Sequence, residues 1–283
     1  MPDVNVLPRM LYHYTDQAGF LGIAGNQELW ATKIQYLNDN REFNLAADIA
    51  GDILQDKLKK TSNERIAQTI KDLSLRILKM GKTNICVCSF SEKADLLSQW
   101  RGYSRGMAGY CLGFRSAILN GISQSNNFAL KKCIYNPAAQ RFEIVKVLDM
   151  LIDKHMMDED RNGTYKEGRG LSSFFTPFVR DVDESLSMIF PLIKDASFEE
   201  EAEWRLVSKG HVSYDDLHFR PGNSAIIPFT KLNLEGAINN CLTDIIVGHT
   251  PNKDLAIAST RDFLHSRMII ASVNSSDIPY RNW

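Results

Sequence analysis

An α+β fold, made of mixed or antiparallel sheets of short strands with a substantial helical layer, follows from three features of the 283-residue sequence. Short β-branched runs occupy both the first and the last third. Two long stretches between them carry apolar residues at helical spacing, and the chain shows neither an internal repeat nor a low-complexity segment. The length fits one large domain, so residues 1–283 read as a single α+β domain with helical insertions at about 41–80 and 138–194.

Taken in order, Met10-Leu-Tyr-His-Tyr-Thr15 alternates as a short strand does. Thr15 or Asp16 caps the helix that follows, with Phe20, Leu21 and Ile23 on its apolar side and a stop near Gly25-Asn26. Residues 29–34 read as a second strand. The polar loop 36–42 then leads into a helix bearing Phe43, Ala46, Ile49, Ile53, Leu54 and Leu58, and a Thr61/Glu64 capping box opens another with Ile66, Ile70, Leu73 and Ile77. The run 84–90 is too short and too β-branched for a stable helix and reads as a buried strand. A helix through Leu96, Leu97 and Trp100 should break at Arg101-Gly-Tyr-Ser-Arg-Gly-Met-Ala-Gly109.

Strands at 110–114 and around 132–135 follow. Segments 138–157 and 171–194 read as long helices, joined by a charged, glycine-rich link at 158–170 that reads as mobile and able to cover a site. Late strands fall at 225–229, 244–249 and 268–273, with a helix from about 253 to 265. Between the helices and these strands lies Phe198-Glu-Glu-Glu-Ala-Glu-Trp-Arg-Leu-Val207, which packs four carboxylates, a tryptophan and an arginine ahead of an apolar pair. A Ser197/Glu200 capping box would make it a short helix. The favoured reading is a helical turn that gives way to a strand near Ala202, placing Glu201, Glu203 and Arg205 on one face and Ala202, Trp204 and Leu206 on the other.

Charge balance is close to even, 33 Lys+Arg against 34 Asp+Glu for a formal net charge of −1, so no global field draws nucleic acid or anionic lipid. The five cysteines, Cys86, Cys88, Cys111, Cys133 and Cys241, sit mostly in apolar runs and read as buried reduced thiols. Cys86 and Cys88 lack a second pair at zinc spacing, so no metal site is assigned. With no signal-peptide build at the N-terminus and no run near the roughly 18 apolar residues of a membrane span, the expectation is a cytoplasmic protein with no membrane partner.

Four constellations carry candidate chemistry. His13 stands on the first strand among Tyr12, Tyr14 and Thr15. The loop Asn38-Asp-Asn-Arg-Glu42 reads equally as a ligand loop or as turn and helix-cap chemistry. The run Gln99-Trp-Arg-Gly-Tyr-Ser-Arg-Gly106 gathers Arg101, Tyr103 and Arg105 around glycines, as a phosphate-bearing ligand requires or as a glycine-rich helix stop would give. In the fourth, Glu201 and Glu203 form either an acid pair or ion-pair partners for Arg205 and Lys209. Serine-hydrolase, zinc-protease, Walker and dinucleotide-fingerprint motifs are absent.

Leu11-Tyr-His-Tyr-Thr15, Asn38-Asp with Glu42, Cys88-Ser-Phe-Ser91, Gln99-Trp-Arg-Gly-Tyr-Ser104, Gly109-Tyr-Cys-Leu-Gly-Phe114, Glu201-Ala-Glu-Trp-Arg205, Ile246-Val-Gly248 and Ile278-Pro-Tyr-Arg281 together resemble a bacterial family catalogued as domain of unknown function 2971. A more distant resemblance, carried by His-x-Thr on a first strand, an aromatic and serine-bearing middle strand and Glu-x-Glu on a late strand, is to ADP-ribosyltransferases, including DNA-modifying toxins and RNA 2′-phosphotransferases.

That second resemblance implies NAD as substrate and a toxin or phage-defence role on a nucleic-acid or protein acceptor. It implies that His13, with Thr15 in its motif, binds the ribose beside nicotinamide. Tyr103 or Tyr110 would stack on the nicotinamide ring, Glu203 would be the catalytic acid and Glu201 would orient the acceptor. Arg101 is a phosphate contact by chemistry rather than by motif. The reading requires His13, one of the two tyrosines and Glu203 to line one cleft. Its rivals are a non-catalytic binding protein and a divalent-metal nuclease using Asp39, Glu42, Glu201 and Glu203.

Overall fold

The computed structural model of the protein describes residues 6–37, 42–104, 108–162, 175–222 and 224–280. Strand β1 (Met10–Thr15) passes into helix α1 (Gln17–Asn26), whose first turn is capped by Asp16 accepting from the Gly19 N–H at 2.8 Å. Gln27, at φ 53°, takes the left-handed position that ends α1 and turns the chain into β2 (Glu28–Lys33). Helices α2 (Glu42–Lys60) and α3 (Glu64–Lys79) follow. Asn63, not the expected Thr61/Glu64 box, caps α3, because it immediately precedes the first helical residue and its amide oxygen reaches the N–H groups of both Arg65 and Ile66.

Next come β3 (Cys86–Ser91), α4 (Leu97–Tyr103), β4 (Tyr110–Arg115), α5 (Ser116–Ser125) and β5 (Phe128–Lys132). Helix α4 runs through Arg101 and Gly102 instead of stopping at them. A single glycine costs a helix about 1 kcal/mol, and Trp100, buried and donating to Asp95 at 2.6 Å, fixes the helix against the sheet. The strand expected around 132–135 lies earlier, and Ile134 forms only an isolated bridge with Ile193. Helices α6 (Pro137–Asn162) and α7 (Phe175–Ile189) complete the helical layer, and a 3-10 turn carrying Pro191 ends α7 before residue 194.

The last third supplies β6 (Glu203–Ser208), β7 (His218–Pro221), β8 (Ile226–Asn233), α8 (Ile238–Cys241), β9 (Leu242–Val247), α9 (Lys253–Ser266) and β10 (Ser272–Ser275). Strand β10 starts later than the apolar run 268–273 suggests, since Met268 sits at φ 55° and both Met268 and Ile270 are exposed.

Among the described residues the strands form one ten-stranded sheet of order β10-β9-β4-β1-β3-β2-β8-β7, with β6 and then β5 branching from β3; only β9 and β10 pair in parallel. The branch point organises the molecule. One edge of β3 pairs with β6 over its length from Val87 to Ser91. The other edge is shared: Ser91 pairs with Tyr12 of β1, while Cys86 and Val87 pair with Lys33 and Thr32 of β2. Strands β1 and β2 therefore diverge from β3, and the sheet forks beside residues 88–90.

Side chains divide by strand parity into separate cores. Leu11, Phe90, Leu112, Trp204 and Leu206 fill the main core together with Phe20 and Ile23 of α1. Val87 and Val207, on the opposite face, are covered by α2, α3, α6 and α7. Tyr14, Trp100 and Cys111 make a third, smaller cluster under α4. All five cysteines are buried free thiols. The expected mixed α+β fold with a helical layer is what the chain adopts. Asn38, Asp39, Arg105, residues 163–170 of the charged link and Arg281 lie outside the described residues, as does the side chain of Glu42.

Candidate functional site

The acidic stretch folds as its alternation requires. A 3-10 turn, Ala196–Glu201, is capped by Asp195, whose carboxylate accepts from the Ser197 N–H at 2.9 Å; the helical turn giving way to a strand at Ala202 is the favoured reading, and the competing Ser197/Glu200 box does not form. Ala202 then adopts φ 44° and releases the chain into β6. On that strand Glu203 and Arg205 pair with Ser91 and Ser89, and both side chains point to the face covered by the helical layer. Trp204 points the other way, into the main core, where its indole donates to Glu92 at 2.7 Å.

Glu203 is buried, 4% exposed, and receives two cations. Arg205 donates to its two oxygens at 2.8 and 3.1 Å and to the Pro191 carbonyl at 2.6 Å. Lys194, 5% exposed, places its ammonium 2.5 Å from Glu203 Oε2 and 2.5 Å from Glu201 Oε2. Burial pushes the Glu203 carboxyl up, but Arg205 and Lys194 outweigh it and hold it at about 2. The Glu203 N–H donates to the Tyr135 hydroxyl at 2.8 Å. Burial is also the main reason the Tyr135 phenol is pushed up.

Tyr103, the last residue of α4, lies within the electrostatic reach of this cluster. Burial of its hydroxyl end, with the negative charges of Glu203 and Glu201 next in weight, pushes the phenol up to about 12, while the residue as a whole keeps 36% of its surface exposed. Arg101, two residues earlier, is exposed and lies with its guanidinium 5.0 Å from the centre of the Tyr280 ring.

The other predicted residues lie elsewhere. Tyr110 is corrected to a core residue: its ring stacks on Phe20 at 4.4 Å and its hydroxyl is 3.2 Å from that of Thr260, so its faces are taken by packing. Thr15 pairs with Tyr110 at the end of β1, and its hydroxyl crowds Gly19 so closely that a side chain there would collide with it.

The single cleft that the transferase resemblance requires does not form, because His13 does not face Glu203. His13 shares strand parity with Leu11, packs 5.5 Å from Phe90, and so lies on the opposite face of the sheet from Glu203 and Arg205. It is nevertheless close in space: at the fork its Nδ1 meets the Ser89 carbonyl at 2.8 Å, on the residue that pairs with Arg205. Burial lowers its pKa, and the Ser89 bond opposes the shift. Cys88 Sγ lies 3.8 Å from the same nitrogen, its thiol pushed up to about 12 by burial and by Glu203.

Lys194 and Tyr135 were not singled out from the sequence. The sequence offers Arg205 and Lys209 as partners for the acid pair; Arg205 takes that place, whereas Lys209 is exposed and Lys194 supplies the second cation. A cavity of about 960 Å³ bounded by Arg9, Tyr12, Glu92, Arg115 and Asp244 holds none of the predicted site residues. Among the described residues no group of three or more His, Cys, Asp or Glu side chains is placed to hold a metal ion, and no helix is long and apolar enough to cross a membrane.

Residues 99–206 match the family described as "Protein of unknown function (DUF2971)". That span contains Tyr103, Tyr135, Lys194, Glu201, Glu203 and Arg205, and leaves His13 outside. No curated protein and no solved structure gives a significant match to the chain.

Proposed function

We propose an ADP-ribosyltransferase-like enzyme that releases nicotinamide from NAD and passes the ADP-ribose to a nucleic-acid or protein acceptor; its candidate residues Tyr103, Glu201 and Glu203 fall within the span 99–206 that matches the family model. One observation carries the reading. Tyr103, partly exposed and far from Glu203 in sequence, lies near enough for the Glu203 charge to raise its phenol, and Glu203 itself is held ionised. Breaking the nicotinamide–ribose bond builds positive charge on the ribose, and a fixed carboxylate stabilises that charge more in the transition state than in the bound dinucleotide. Tyr103 supplies the stacking surface and Arg101, on the same helix, an exposed guanidinium suited to phosphate. The reading drops the His13 contact to the ribose that the resemblance implies, since His13 is engaged with the Ser89 carbonyl on the other face of the sheet. Action as a toxin or phage-defence component, in the cytoplasm, belongs to the same proposal.

A second reading is favoured by a specific feature: Lys194 and Arg205 already occupy the Glu203 carboxylate, as in a structural network of a non-catalytic binding protein. The nuclease reading has no such support, because an ammonium already bridges Glu201 and Glu203.

Incubation with NAD and measurement of free nicotinamide separates the first two. The transferase reading expects release from the native protein, a loss of at least about a hundredfold in turnover for Glu203→Gln with little change in dinucleotide affinity, and weaker binding for Tyr103→Ala. NAD binding without nicotinamide release under any acceptor mixture would favour the binding protein. Absence of both NAD binding and nicotinamide release would end the transferase reading.

A further inference from the structure

Strand pairing places Glu203, but it does not place Glu201. Glu201 precedes β6, across the left-handed Ala202, in a turn whose residues 195–200 are all exposed. Its backbone is tied down by Ser91, whose hydroxyl donates to the Glu201 carbonyl at 2.7 Å. Its side chain is 22% exposed, and the carboxylate is held by Lys194.

Lys194 is itself rigidly mounted. Its N–H donates to the Ile134 carbonyl at 3.2 Å, and its own carbonyl accepts at 2.7 Å from Gln140 of α6, a residue 3% exposed. The Phe198 ring lies 5.1 Å from the ammonium. Arg205, by contrast, is committed to Glu203 and to the Pro191 carbonyl. The arm of Lys194 thus runs from the helical layer to the one point where the two carboxylates meet.

We propose that Lys194 is the positioning residue of this site, drawing Glu201 out of its exposed turn and against Glu203 so that the two carboxylates work as a pair. The placement stands on geometry alone; only its catalytic consequence rests on the transferase reading. The charged and titratable groups around Glu203 are Arg205 on its own strand, Lys194, Glu201, Tyr103 from α4, Tyr135 following β5 and Cys88 on β3. With the Lys194 charge removed, Arg205 is the cation left bonded to Glu203.

The test follows the Glu203 carboxyl directly, by carbon NMR of protein labelled at the glutamate carboxyl, with the Glu203 signal assigned by its loss in Glu203→Gln. In Lys194→Met the Glu203 titration should move up by about 1–3 pH units, and Lys194→Arg should restore it. The Glu201 signal should lose its restricted environment in Lys194→Met and regain it in Lys194→Arg. Lys194→Gln, which keeps hydrogen bonding without charge, serves if the methionine variant does not fold. A folded, charge-removed variant in which neither signal moves would overturn the proposal.

In a protein that releases nicotinamide, Lys194→Gln should lower kcat at least about tenfold with KM for NAD little changed, and shift the acid limb of the rate profile upward. An unchanged kcat and an unmoved limb would also overturn it. If the native protein releases no nicotinamide, the transferase reading falls while the titration still decides the role of Lys194.

Discussion

Replacing Glu203 by glutamine should remove a pH-dependent component of stability whose size follows from the site. The carboxyl is held at about 2 in the folded chain against an ordinary value of 4.5. Because the folded value is the lower one, the ionised form favours folding above the unfolded value, and that contribution disappears as pH falls through the folded value. A shift of roughly 2.5 units at about 1.4 kcal/mol per unit corresponds to about 3 kcal/mol, most of it lost between pH ~5 and pH ~2. Near-complete burial means that solvent screening discounts little of this.

The assay is urea unfolding of the native protein and Glu203→Gln at matched pH values from 7 downward. At pH 7 the variant should be the weaker by several kcal/mol, since glutamine leaves Lys194 and Arg205 without the anion between them. The gap should close by about 3 kcal/mol on acidification, because a protonated Glu203 resembles glutamine. Following the difference between two chains cancels the titration of the many other carboxylates. A gap that stays constant from pH 5 to pH 2 would refute the assignment of Glu203 as an ionised, cation-clamped group.

Other substitutions probe the frame around the site. Gly248→Ala would set a methyl carbon 2.9 Å from the Trp100 ring and 3.0 Å from the Gly109 carbonyl oxygen, so thermal unfolding should show a loss of about 1–3 kcal/mol. Tyr110→Ala should cost about 3–5 kcal/mol in the same measurement, as expected of a buried aromatic stacked on Phe20, whereas Tyr103→Ala should cost less than half of that and act mainly on ligand binding. Asp95→Ala removes the acceptor for the Trp100 indole, the Ser276 hydroxyl and the Asp277 N–H. It should raise amide-exchange rates in both α4 and the segment 276–280, and unchanged exchange would show that the tail is held by other contacts.

Local chemistry made part of this structure readable. β1, β3, β4 and β9 announced themselves by short β-branched or alternating runs, Asp16 by its place before a helix, and the switch at Ala202 by acidic turn residues followed by an alternating strand. What stayed hidden was decided by distant partners. Tyr103 and Tyr110 are equally aromatic neighbours of the same glycines, and only Phe20 and Thr260, brought in by α1 and α9, take Tyr110 into the core.

Lys194 closes an apolar-periodic segment and looks like the end of a helix. It becomes a counter-ion because α7 stops at Ile189 and the chain doubles back toward β6. His13 was placed on the correct strand, but no local feature of Tyr-His-Tyr-Thr shows that β1 meets β3 at Tyr12, the register that turns His13 away from Glu203. Strand β7 is a short, largely exposed edge strand, and its composition resembles that of a loop.

The shared edge of β3 also bears on how the chain is made. Its pairings with β1 and β2 involve residues that leave the ribosome earlier, but its whole opposite edge waits for β6, which is translated about 110 residues after β3. Until then Cys88 and Phe90 belong to a core whose Trp204 and Leu206 wall does not exist, beside an unpaired strand edge. At typical synthesis rates of about 5–20 residues per second that interval lasts roughly 5–20 s, long enough for an open apolar edge to recruit a chaperone or another nascent chain. The central strand that anchors the finished protein thus has one edge open during synthesis until β6 is made.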